Sequence, residues 1–86
     1  MNINDLIAIV KKKLNDEITI EKIKIEDKSF LHKTHSGHQE GKFHLKLSIS
    51  SIELKKLNKI ESYKKIYKVL NKEMQEYIHS LQILII

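Results

Sequence analysis

From Asn58 onward the apolar residues Ile60, Tyr63, Ile66, Tyr67, Leu70, Met74 and Tyr77 recur at steps of three and four. That spacing lines one face of a helix and leaves Lys59, Lys64, Lys65, Lys68, Lys72 and Glu76 toward water. Asn58 and Glu61 form a capping box, so the pattern predicts a helix over residues 59–77, with Tyr63, Ile66, Tyr67, Leu70 and Met74 turned inward. Past Tyr77 the pattern changes to Leu81-Gln82-Ile83-Leu84-Ile85-Ile86, a β-branched run that reads as a strand buried on both faces. His79 stands at the junction, at the end of a rigid element without having to be buried.

Upstream, Ile3, Leu6, Ile7, Val10 and Leu14 share a helical face, with Asn2 as cap and Asp5 in the first turn, predicting a helix over residues 3–14. Lys11-Lys12-Lys13 then falls in its last turn, where cations suit the negative end of the dipole, and Asn15-Asp16 breaks it. Ile18 and Ile20, then Ile23 and Ile25, alternate with one shift of parity. Either a bulge at Glu21-Lys22 or a strand starting there accounts for the shift. Phe43, Leu45, Leu47 and Ile49 form a second alternating strand, with His44, Lys46, Ser48 and Ser50 on its other face. Ser51 caps a short helical turn carrying Ile52, Leu54 and Leu57. The order α-β-β-α(short)-α-β points to a single α+β domain over residues 1–86, in two layers, with helices on one face of a three-stranded mixed sheet. The first two strands are expected to pair antiparallel, and the helical crossover lets the third run parallel to one of them.

Composition narrows the chemistry. The 86 residues contain no cysteine, so the chain supplies no thiolate ligand, nucleophile or disulfide. Any metal must be held by His, by carboxylates or by a partner's thiols. The net charge is +5, and all 16 basic residues are lysine. Without the arginine fork that reads guanine edges, this is a poor nucleic-acid signature, and lysine beside fifteen isoleucines fits biased codon usage better. No basic start with an apolar core and no long apolar run is present, so a soluble, cytoplasmic protein is expected.

Residues 27–42 form the one long loop-like stretch and hold both glycines and three of the five histidines, His32, His35 and His38. Loops of that length in compact domains are usually functional or disordered. Neutral imidazoles bind metals, but by spacing alone a solvated polar loop is the simpler reading, and a helix-end histidine such as His79 more often caps or packs. No nucleophile-base-acid set, carboxylate pair or phosphate-cradling glycine loop is discernible, and the chain reads as a non-enzyme.

Asp27-Lys28-Ser29, His35-Ser36-Gly37-His38, His44 and its strand to Ser51, then Leu54, Asn58, Ile60, Tyr67, Leu70, Glu73 and the closing Ile78-His79-Ser80-Leu81 together resemble the BolA family over nearly the whole chain. From His44 onward the register needs no gap. The closing motif is similar to the family's His-Ala-Leu, with Ser80 in place of the small residue. Leu45 stands where an aromatic is usual, a glycine near Lys56 is missing, and Ser62-Tyr63 replaces an Arg-His pair.

The resemblance implies a fold similar to a class II KH domain. It also implies a partner, a monothiol glutaredoxin, with which the chain would form a heterodimer sharing a bridging 2Fe-2S cluster, while remaining a monomer alone. Glutaredoxin and glutathione would supply the sulfur ligands. This chain would supply His79 and, in the ungapped register, His35, with His38 the next candidate. Two imidazoles on one iron raise a cluster's potential relative to all-thiolate ligation. The competing expectation is a nucleic-acid-binding transcriptional regulator. KH domains, however, clamp the backbone with Gly-x-x-Gly, and here Gly37 and Gly41 are four apart.

Overall fold

The computed structural model describes residues 1–29 and 42–86. Its elements are α1 (Ile3–Glu17), β1 (Lys22–Asp27), β2 (Phe43–Ser50), α2 (Ile52–Lys55), α3 (Lys59–Val69), α4 (Asn71–Glu76) and β3 (Ile78–Ile85). The sheet has the order β1-β2-β3, with β1 and β2 antiparallel and β2 and β3 parallel, as the crossover requires. Helices cover one face. Leu6, Val10 and Leu14 of α1 and Ile66 of α3 meet Leu45, Leu47, Ile49, Leu81 and Ile83 of the sheet in one core. The opposite face carries the row Lys24, Ser48 and Leu84 in register across the three strands.

The caps form where short polar side chains can satisfy free helix N–H groups. Asn2 accepts from the Asp5 N–H at 2.8 Å, Ser51 from Leu54 at 3.1 Å, and Asn58 from Glu61 at 2.8 Å. The Glu61 carboxylate accepts from the Asn58 side-chain amide instead of reaching back to its backbone. The shift of parity near Glu21 is a strand starting at Lys22: Ile18 is the C-cap of α1 and is buried in the core.

Several expectations are corrected. α1 runs three residues past Leu14, so the lysine run lies mid-helix, where Lys12 pairs with Asp16 and Lys13 with Glu73. The long helix divides at Leu70, whose φ −97°, ψ 17° lies in the bridge region, although no Pro or Gly marks the break. Its buried centre line is Ser62, Ile66, Leu70 and Glu73, so Ile60 and Tyr67 face outward, 67% and 39% exposed. The Ser62 hydroxyl donates to the Leu54 carbonyl at 2.8 Å, a close approach that a bulkier residue would block. Tyr63 and Tyr67 then reach over the sheet edge, donating to the carbonyls of Ile83 at 3.1 Å and Leu81 at 3.4 Å. As the edge strand, β3 is buried on one face alone, with Leu84 45% exposed. Among the described residues no helix is long and apolar enough to cross a membrane.

Candidate functional site

Regular strand alternation would send His79 and Ser80 to opposite faces. Yet Ile78 and Leu81, three residues apart on β3, are both in the core, at 1% and 8% exposure. The register explains this. Phe43 pairs with Ile78 but His44 pairs with Ser80, so His79 is an extra residue without a partner on β2. A bulge of this kind resets the parity and re-aims side chains. His79 and Ser80 are both exposed, on the side of the sheet that carries His44.

The three side chains meet there. The rings of His44 and His79 stack with centroids 4.8 Å apart and planes 25° from parallel, and His44 Nδ1 lies 2.6 Å from Ser80 Oγ. His44 is buried, at 6% exposure, and its backbone is held on both sides. Its N–H donates to Ser29 Oγ at 3.0 Å and its carbonyl accepts from the Lys28 N–H at 2.7 Å. Ser29 is fixed in turn by its own N–H donating to Asp27 Oδ1 at 2.9 Å, the self-bonding turn for which short acidic side chains are suited. On the other flank the Phe43 N–H donates to the Tyr77 carbonyl at 2.9 Å, tying the start of β2 to the end of α4. Asp27-Lys28-Ser29 therefore serves as the mount of a histidine platform.

His79 is thus where the sequence placed it, at a helix-to-strand junction with an exposed ring. His35 and His38 lie outside the described residues. His44, which the alternation assigned simply to a strand face, proves to be the residue in contact with His79; the signal for it was its place in the ungapped register with the closing motif. Among the described residues no three His, Cys, Asp or Glu side chains are grouped to hold a metal ion. What the described residues offer is one outward imidazole, that of His79, stacked on the buried ring of His44.

A family model described as BolA-like protein matches residues 14–86. The "DNA-binding transcriptional regulator BolA" of Haemophilus influenzae is 32% identical over 73 residues, covering 85% of this chain and 68% of that protein. The structure is similar to that of BolA1 from Arabidopsis thaliana, with TM-score 0.75 and 25% identity over 91% of this chain and 86% of that one. The BolA domain of SufE1 from Arabidopsis thaliana shares the fold at TM-score 0.77 and 24% identity, covering 99% of this chain and 92% of that one.

Proposed function

The chain belongs to the BolA-like protein family, and from that membership we propose that it is a non-enzymatic cytoplasmic partner of a monothiol glutaredoxin, completing a shared 2Fe-2S cluster with histidine. The observation that carries this reading is the bulge-presented His79, exposed and stacked on a buried second histidine. A chain without cysteine has imidazole as its nitrogen donor for iron, and a ring held at a rigid junction loses little freedom on ligation. When bound, the cluster would supply electron-transfer or cluster-transfer chemistry, and His79 would hold it through one ring nitrogen. His35 is the second ligand in the register of the resemblance, with His38 as its substitute.

Mixing the protein with a holo monothiol glutaredoxin and reduced glutathione tests this. The cluster's visible absorption and circular dichroism should change to a mixed-complex spectrum. His79→Ala should abolish that spectrum, whereas His35→Ala should leave a part of it if His38 takes over. An unchanged spectrum with His79→Ala would remove the ligand assignment.

A second reading, nucleic-acid binding, is favoured by the name of the Haemophilus influenzae relative, a DNA-binding transcriptional regulator. It also has a surface to act through. Lys64 and Lys68, both exposed and one turn apart on α3, form no ion pair among the described residues and line an open cleft of about 710 Å³ against α1, which contributes Lys13 but also the carboxylates of Asp16 and Glu17. Binding through phosphates should weaken steeply with salt and with Lys64→Ala/Lys68→Ala, independently of glutaredoxin. Duplex affinity that is flat in salt would exclude it.

A further inference from the structure

We propose that His44 is a positioning residue for His79, and that Ser80 locks it in that role. This rests on the cluster-sharing reading for its purpose, though not for its geometry. An exposed residue at a bulge has no neighbour across the ladder to narrow the choice among the staggered χ1 wells that its backbone allows. The flat face of His44 at 4.8 Å supplies the selection, because the rotamer that lays the His79 ring on it is the one that gains contact. A platform is useful only if it cannot itself turn. His44 is held by burial at 6% exposure, by two backbone hydrogen bonds to residues 28 and 29, and by the 2.6 Å contact of Nδ1 with Ser80 Oγ.

The bulge makes the arrangement possible. By turning two consecutive residues to one face, it puts the ring to be oriented and the hydroxyl that locks the platform side by side. Where the resembling closing motif carries a small apolar residue, this chain carries a hydroxyl aimed at His44. Ser80 therefore adds a restraint that an apolar residue at this position would not supply.

The expected size follows from counting rotamers. If His79 without its platform spreads evenly over three χ1 wells, the binding-competent fraction falls to about one third, and apparent affinity for the shared centre weakens about threefold. His44→Ala should accordingly weaken sharing, while His79→Ala abolishes it.

The test measures His79 χ1 by three-bond couplings and ring-to-ring nuclear Overhauser effects in the isolated protein, beside titration against the holo glutaredoxin. Wild type should show one dominant rotamer, and His44→Ala an averaged one with amide dispersion retained. His44→Phe, which keeps a flat face but loses the Ser80 contact, should raise the dominant rotamer above its His44→Ala population without reaching the wild-type value, and recover part of the affinity. If His44→Ala does not fold, Ser80→Ala at its exposed position carries the same test and should lower the population of the dominant rotamer. An averaged His79 in wild type, or an unchanged rotamer in whichever of these two variants folds, overturns the proposal. The rotamer is read without partner or cluster, so wild-type failure to share a cluster would count against the glutaredoxin reading alone.

Discussion

Lys13 of α1 donates to Glu73 of α4 at 2.6 Å, and the Glu73 side chain is 4% exposed while that of Lys13 is 38% exposed. The second carboxylate oxygen, Oε1, is buried without a hydrogen-bond partner among the described residues. One end of the pair is therefore captive and the other reaches water.

The two halves of this pair should differ on removal. Lys13→Met strands a carboxylate in the core and should cost about 2 to 3 kcal/mol, below the range for fully buried pairs because the ammonium is partly hydrated. Glu73→Gln leaves an ammonium that can turn to solvent and should cost about 1 kcal/mol. Urea unfolding at one pH compares them, and a larger loss for Glu73→Gln would contradict the asymmetry.

The rotation of α3 sets the cost of its substitutions. Ile66, fully buried, should lose about 2 to 5 kcal/mol on truncation to Ala. Tyr67 lies on the predicted stripe but is 39% exposed, and Tyr67→Ala should cost about 1 kcal/mol. Tyr63→Phe, which removes the hydroxyl from the Ile83 carbonyl, should cost about 0.5 to 1.5 kcal/mol. Thermal melts of the three variants rank them, and a Tyr67 loss matching that of Ile66 would restore the original stripe.

The bulge predicts opposite outcomes for two single-residue deletions in β3. Deleting His79 leaves Ile78-Ser80-Leu81, in which Ile78 and Leu81 become two apart and a regular ladder keeps both in the core. Deleting Gln82 instead turns Ile83 and Ile85 to the wrong face. The first variant should fold, with a loss within about 2 kcal/mol, and the second should not. Amide spectra decide it, and equal tolerance of both deletions would mean that no fixed bulge exists.

Acid should weaken the junction between α1 and α2. The Glu53 carboxylate accepts from Lys65 and from the Thr19 N–H at 3.1 Å, and these bonds hold its pKa below the ordinary 4.5; Lys28 does the same for Glu26. A lowered folded-state pKa means stability that is complete above the unfolded value and fades as pH falls below about 4.5. Glu53→Gln should therefore flatten the loss of melting temperature between neutral pH and pH 3, and an equally steep acid limb in the variant would sink the assignment.

Local physics made much of this chain legible. Asn2, Ser51 and Asn58 cap helices because a short acceptor three residues ahead of a free N–H satisfies it wherever the helix packs. Phe43 to Ile49 alternate because the pleat does, and the crossover made β3 parallel to its neighbour. His79 was found at its junction because the periodicity changes after Tyr77, and its expected role came from the resemblance of the closing motif. Tertiary structure decided what depends on neighbours remote in sequence. Ser62 and Glu73 lie inside because Leu54 and Lys13 receive them, and the tyrosines lie at the rim because β3 offers two carbonyls there. The His44–His79 stack belongs to the same class. It exists because one unmatched residue in β3 turns two side chains toward a histidine 35 positions away, and a register between strands is a property of the pair, written in neither strand alone.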